Sequence, residues 1–321
     1  MNPLLVLILK TIRKAVIKIF GNKVVRRSLS DNNPETASLI IYNVLIANNA
    51  CMIARLGSTE LSCLKNYLGV INNKGKYWSY VKGVASPWWW DQKVINQMKQ
   101  WSGFFPAEQR KIEQFCRLML QDIPEVDILA SWLTDEYLFE KELEHSYKIE
   151  FELLNPYFSQ IPWTRALEGK KVLVVHPFAH TIQQQYKKRE LLFKDNLLPA
   201  FELKTIKAVQ SIAGSATPFS DWFAALNFMK AEIDKQDYDI CLIGCGAYGF
   251  PLAAHVKRSG KKAVQLGGSL QLLFGISGKR WEDPLYNSKY NYAGLINENW
   301  VKPSEEEKPA GADIVEGACY W

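Results

Sequence analysis

Residues 239–281, DICLIGCGAYGFPLAAHVKRSGKKAVQLGGSLQLLFGISGKRW, limit what this chain can fold into more than any other stretch. Residues 240–243 are an apolar run of the length and composition of a parallel strand buried on both faces. A turn follows, Gly244-Cys245-Gly246-Ala247-Tyr248-Gly249, and then Leu252, Ala253 and Val256 at helical spacing. Gly260 is placed to end that helix, and residues 263–266 read as the next strand, closed by Gly267-Gly268. Such a strand–turn–helix–strand unit predicts an α/β fold, a mostly parallel sheet with helices on both faces. Its turn is shaped to bring backbone N–H groups and a helix N-terminus to an anion, most often a phosphate. The literal GxGxxG pattern invites a dinucleotide. That reading requires an acidic residue at the end of the following strand, and Gln265 stands there, so NAD is not expected.

Further units of the same kind precede it. Asn33-Pro34-Glu35 is a helix start, with a capping side chain, Pro at the first position and an acid in the first turn, and the helix should run to about Ala47. Residues 51–54 read as a buried strand, followed by Arg55-Leu56-Gly57-Ser58-Thr59-Glu60. Gly57 allows a tight turn, Ser58 can cap, and Leu61, Leu64 and Leu68 share one face of the next helix. Arg55 and Glu60 therefore flank the carboxyl end of a strand, where open α/β sheets bind ligands. Glu60 equally suits the positive end of a helix dipole. Residues 171–175 form another buried strand, with His176 and His180 in the loop at its end. These read as base, phosphate contact or metal ligand, or as loop histidines bonded to backbone.

Residues 126–129 and 200–206 are expected as strands. Residues 106–120, 181–193 and a segment opened by residues 218–221 are expected as helices, and the Glu-rich stretch 134–154 as helix surface. The aromatic run from Tyr77 to Trp101 suits sugar stacking, and suits a core or domain interface better. Lys279 and Arg280, beside two glycine turns, read either as partners of a diphosphate or as a solvated basic turn. Six cysteines without CxxC spacing read as reduced thiols.

The net charge of +6 belongs to one end of the chain. Residues 1–27 hold seven Lys or Arg and no acid, and the remainder carries 32 basic against 33 acidic residues. A neutral body argues against nucleic acid as partner. The first twenty residues alternate apolar runs with Lys10, Arg13, Lys14 and Lys18, a cationic amphipathic helix suited to an anionic membrane surface or to docking on its own domain. The expected organisation is a basic segment, 1–27, and a single α/β domain, 28–321, with a helical insertion around 85–160.

Several of these stretches together resemble bacterial proteins of the GT-D glycosyltransferase fold, encoded among genes for surface polysaccharides. The resemblance rests on Arg55-Leu56-Gly57-Ser58-Thr59-Glu60, on residues 242–249, and on residues 262–268 with Leu273-Phe274-Gly275 and Gly278-Lys279-Arg280-Trp281. Val174-Val175-His176-Pro177-Phe178 and Glu316-Gly317-Ala318-Cys319-Tyr320-Trp321 add to it. It implies a Rossmann-like GT-D-like fold and transfer of a sugar from a nucleotide-diphosphate donor such as a UDP-sugar to a bacterial surface glycan or lipid-linked acceptor. The implied location is the cytoplasm, peripheral at the inner face of the membrane.

It also implies roles for individual residues. Arg55, Gly57, Ser58, Gly244, Gly246, Tyr248, Gly249, Gly268, Lys279 and Arg280 would bind the nucleotide sugar, and Glu60 would be catalytic; His176 and His180, at a neighbouring strand end, are our own reading of the catalytic base and not a match to the family motif. The family's first motif reads Arg-x-Gly-Asp-x-Glu, with its carboxylates on Mg²⁺ or Mn²⁺. Here Ser58 replaces the Asp and leaves Glu60 as the implied metal ligand, and Gly268 replaces a family His. These departures leave open a non-catalytic nucleotide-sugar-binding or scaffold protein with a degenerate site.

Overall fold

The computed structural model describes residues 1–21, 29–309, 311 and 319–321. Its centre is a seven-stranded sheet, all neighbouring strands parallel, in the order β3-β2-β1-β7-β6-β4-β5. The strands are β1 (Cys51–Ala54), β2 (Ile128–Ser131), β3 (Tyr147–Glu150), β4 (Lys171–His176), β5 (Glu202–Lys207), β6 (Ile240–Ile243) and β7 (Lys262–Gln265). Around them lie α1 (Pro3–Phe20), α2 (Pro34–Ile46), α3 (Ser58–Asn72), α4 (Tyr77–Val81), α5 (Gln92–Gln100), α6 (Gln109–Asp122), α7 (Ala179–Tyr186), α8 (Arg189–Leu192), α9 (Trp222–Asp234) and α10 (Gly249–Arg258).

The central strands are apolar apart from Lys171, His176, Lys262 and Gln265 at strand ends, because both faces are covered. Met52, Ala54, Leu173, Val175, Cys241 and Ile243 face a core built with α3, α5, α6, α9 and α10. The alternate residues Cys51, Ile53, Val172, Val174, Ile240 and Leu242 face a second core with α2, α7 and the segment 270–276. Burying a Leu or Ile side chain stabilises a fold by about 1.5–3 kcal/mol, so two such layers fix the strand register strongly. The α/β architecture expected from the sequence is the one present.

Connectivity then places the crevice. β6 leaves the sheet through α10 on the first face, while its neighbour β4 leaves through α7 on the second. Likewise β1 continues into α3 on the first face, and the adjacent β7 continues into residues 270–274 on the second. Chains that diverge in this way open a cleft beyond the carboxyl ends of the strands.

Several expectations change in detail. The stretch 134–154 is not one helix: it holds a 3₁₀ turn (Thr134–Phe139), then β3, then a second 3₁₀ turn (Phe151–Leu154). Residues 85–160, expected as a helical insertion, contribute α5 and α6 but also β2 and β3 of the one sheet. Residues 181–193, expected as one helix, divide into α7 and α8. All six cysteines are free and buried.

Of the segment 1–27, residues 22–27 lie outside the described residues. The remainder is α1, which packs Leu9 against Tyr80, Val81 and Trp89. Among the described residues no helix is long and apolar enough to cross a membrane.

Candidate functional site

Three turns meet at the carboxyl rim of the sheet: Gly57 after β1, Pro177 after β4 and Gly246 after β6. They border two adjoining hollows of about 130 Å³ and 200 Å³ that share Arg55, Trp101, Ser102, Gly246, Gly268 and Tyr320. The smaller lies over β4 and β6, and the larger over β1 and β7.

Arg55 stands between them. Its backbone N–H donates to Gln265 Oε1 at 3.0 Å, and its Nε donates to the Leu266 carbonyl at 3.3 Å. The guanidinium passes so close to Gly267 that a Cβ there would lie 1.9 Å from Nη2. Gly267 also has φ +67°, a conformation that side chains disfavour. The neighbouring Gly268 leaves room of another kind. A Cβ on it would lie 2.2 Å from the Tyr320 ring, so Tyr320 fills the space beside it. Arg280 lines the larger hollow, with Nη2 3.1 Å from Cys319 Sγ and its guanidinium carbon 5.0 Å from the Tyr320 ring centre.

The 244–249 turn divides its labour. Gly244 is a packing glycine, since a Cβ would meet the Gly267 carbonyl oxygen at 2.6 Å and His176 Cδ2 at 2.7 Å. Gly246, at φ +57°, faces open space in both hollows and opens the 3₁₀ turn (Gly246–Tyr248) that leads into α10. Tyr248 is buried, stacked on Trp222 at 4.9 Å and bonded to Ser211 Oγ at 3.0 Å, with an edge on the smaller hollow. Gly249 lies inside α10 against Gln265 and does not line the cleft.

The two histidines separate. His176 ends β4, is 3% exposed, and lines the smaller hollow. Its Nδ1 accepts the Phe178 N–H at 3.0 Å, and burial pushes its pKa down to about 3. The ring is therefore neutral with its proton on Nε2, a hydrogen-bond donor rather than the base expected of it. His180 sits exposed at the start of α7 and touches neither hollow, so it leaves the site. Lys279 is also exposed and outside both hollows, unlike its neighbour Arg280.

Glu60 remains. Its carboxylate folds back over Gly57, where a Cβ would lie 1.9 Å from Oε2, and it lines the larger hollow. It occupies the first turn of α3 and also faces the cleft. Ser58 lines the cleft as the first residue of α3, but Gly57 is the capping position and no side chain caps this helix.

A second carboxylate, Glu152, has no motif in the sequence to announce it. It follows β3, lines the same hollow, accepts from Tyr292 Oη and, at 2.9 Å, from Asn287 Nδ2, and burial raises its pKa. Trp132, Phe151, Trp281, Tyr286 and Tyr292 wall this hollow. Of the aromatic run, only Trp101 reaches the cleft; Trp88 and Trp89 pack with Tyr80 under α1, and Trp90 stacks on Tyr67.

Among the described residues no three His, Cys, Asp or Glu gather to hold a metal ion. At the start of α3 the cleft offers one carboxylate, Glu60, beside the Ser58 hydroxyl, a sparse oxygen set for Mg²⁺ or Mn²⁺. Among the described residues, the cations that line the cleft are Arg55 and Arg280.

Comparison of the chain with protein-family models, with curated proteins and with solved structures finds no match. The chemistry of the cleft is therefore read from its own residues: two guanidinium groups, a glycine turn at a helix start, one carboxylate without a partner among the described residues, and an aromatic wall.

Proposed function

We propose that the cleft binds a nucleotide-diphosphate sugar and transfers its sugar to an acceptor hydroxyl, as the resemblance to GT-D glycosyltransferases implies. The observation that carries this reading is the meeting of Arg55, Arg280 and the Gly246 turn in one cleft at a switch point of the sheet. A departing diphosphate needs its developing negative charge stabilised, which is the largest electrostatic task of such a site. Guanidinium groups suit phosphate oxygens in paired hydrogen bonds, and the backbone N–H groups of Gly246 and Ala247 add neutral donors. His176 Nε2–H is a further donor within the smaller hollow.

The acceptor hydroxyl must lose a proton as the new glycosidic bond forms and the bond from the anomeric carbon to the diphosphate breaks. Glu60 takes that proton in this reading, because its carboxylate has no hydrogen bond or ion pair among the described residues. Glu152 is held by Tyr292 and Asn287 and suits orienting a sugar hydroxyl instead. The aromatic wall of the larger hollow offers flat faces for the sugar or base. No step is routed through a metal. The acceptor class in this reading is a surface glycan or a lipid-linked precursor, met at the inner face of the membrane.

A second reading, a binding or scaffold protein with a degenerate site, is favoured by Ser58 and by Tyr320 filling the space beside Gly268. Calorimetric titration of UDP-sugars at up to millimolar concentration, followed by a transfer assay, tests both. Binding with turnover supports the transferase, binding without turnover by any acceptor supports the scaffold, and no binding overturns both.

A further inference from the structure

The sequence poses docking on the body and binding to a membrane as alternatives for the basic amphipathic leader. The structure separates the two roles onto different sides of one helix. The inner side of α1 is committed. Leu9 is buried on Tyr80, Val81 and Trp89, with Leu5, Val6 and Val16 packed beside it. Two of its cations are spent on the same contact: Lys10 pairs with Asp91 at 3.0 Å, and Arg13 donates to the carbonyls of Tyr80 and Ala85 while lying over the Tyr80 ring.

The outer side is not committed. Leu4, Leu7, Ile8, Ile12 and Ile19 are 43–72% exposed and fall within an arc of about 140° at 3.6 residues per turn. Lys14 lies just outside one edge of that arc and Lys18 just inside it, both exposed and without partners among the described residues, and α1 contains no acid. The neighbouring α4 adds Trp78 at 77% exposure, with exposed Lys74, Lys76 and Lys82 on its flanks.

We propose that the outward face of α1, held rigidly on the body by its inward face, is a docking surface for an anionic lipid bilayer. An aliphatic stripe bordered by lysines with no compensating acid is the pattern that seats a helix at the boundary between headgroups and acyl chains. The charge argues for this occupant. A second copy of the chain would bring the same lysines to the contact, like against like, whereas an anionic headgroup layer neutralises them. Because α1 is already folded and clamped, binding requires no helix formation at the membrane and places the body at a set orientation. The proposal goes beyond the transferase reading and does not depend on it, since a chain whose cleft transfers nothing would still bind.

The test uses the full chain and vesicles of phosphatidylcholine alone or mixed with phosphatidylglycerol, read by co-sedimentation. The wild-type chain should partition onto the mixed vesicles, weakly or not at all onto neutral ones, and less as salt rises. Leu7→Ser with Ile12→Ser, both on the exposed side, should weaken binding by roughly tenfold or more with an unchanged melting temperature. Lys14→Glu with Lys18→Glu should abolish the preference for anionic lipid. Nucleotide-sugar binding should be unaffected by either pair, which keeps this test distinct from that of the cleft. Failure to bind mixed vesicles overturns the proposal. So does equal binding to neutral ones, or a dimer in sedimentation velocity that the Leu7→Ser, Ile12→Ser pair dissolves.

Discussion

Replacing Gly267 by Ala tests whether Arg55 is the anion-binding group of the cleft, because the structure separates two effects of that change. The first is backbone strain. Gly267 has φ +67°, and an L-residue in the left-handed region costs about 1–2 kcal/mol. The second is displacement. The new Cβ would lie 1.9 Å from Arg55 Nη2 and 2.6 Å from its guanidinium carbon, so the guanidinium must move. It can swing aside, but its Nε–H bond to the Leu266 carbonyl is lost when it does, which adds about 1 kcal/mol to the loss of stability.

Binding should respond differently. A hydrogen bond to a charged group contributes about 1.5–3 kcal/mol, so losing one such contact with a diphosphate should weaken binding about 10- to 150-fold. Gly260 supplies the control, since it has φ +79°, nothing within 4 Å of where a Cβ would stand, and a place at the far end of α10. Gly260→Ala should lose about 1–2 kcal/mol in urea unfolding, and Gly267→Ala about 1 kcal/mol more. Only Gly267→Ala should lose UDP-sugar affinity by calorimetry. A folded Gly267→Ala protein that binds as tightly as wild type would refute the assignment of Arg55.

Three further outcomes follow from the same geometry. Glu60→Gln should keep donor affinity within a few-fold and lower the transfer rate by about 10²–10⁴-fold, the usual worth of a general base; an unchanged rate would remove Glu60 from catalysis. His176, with its pKa lowered from 6.5 to about 3 by burial, binds protons more weakly when folded than when unfolded. Its contribution to stability is therefore complete above pH 6.5 and is lost as pH falls from there toward 3, about 1.4 kcal/mol for each pH unit. Unfolding curves at pH 7 and 5 should show that slope, and His176→Gln should flatten it. Leu9→Ala should cost about 2–3 kcal/mol in the contact between α1 and the body and expose α1 to limited proteolysis without altering nucleotide-sugar affinity.

Most of the strands that are legible in the sequence are buried on both faces, and the edge strand β5 is legible with them. Residues 51–54, 171–176, 240–243 and 262–265 sit at the middle of the sheet, where the interior positions are apolar and the polar residues stand at the strand ends. β3 escapes that reading because only Ile149 in it is buried, and its charged residues resemble helix surface. The turns after β1, β4 and β6 can be placed at one rim because parallel strands all end on the same side.

The occupants of that rim are harder to name. Whether His176 or His180 enters the cleft depends on where β4 stops and α7 starts, and a shift of one turn sends His180 to solvent. Glu152, Tyr286, Tyr292 and Tyr320 reach the larger hollow from segments without local periodicity, carried there by packing against the second core. No spacing in the sequence announces them. The one exception is Gly268, whose bare backbone is a hint that another group must fill the space.

The most direct measurement is a crystal structure of the chain grown with a UDP-sugar. The account predicts the diphosphate between Arg55 and Arg280, against the turn at Gly246, with the sugar beside Glu60 and the aromatic wall of the larger hollow. A nucleotide bound elsewhere, or bound in this cleft with its phosphates turned away from both arginines, would contradict it.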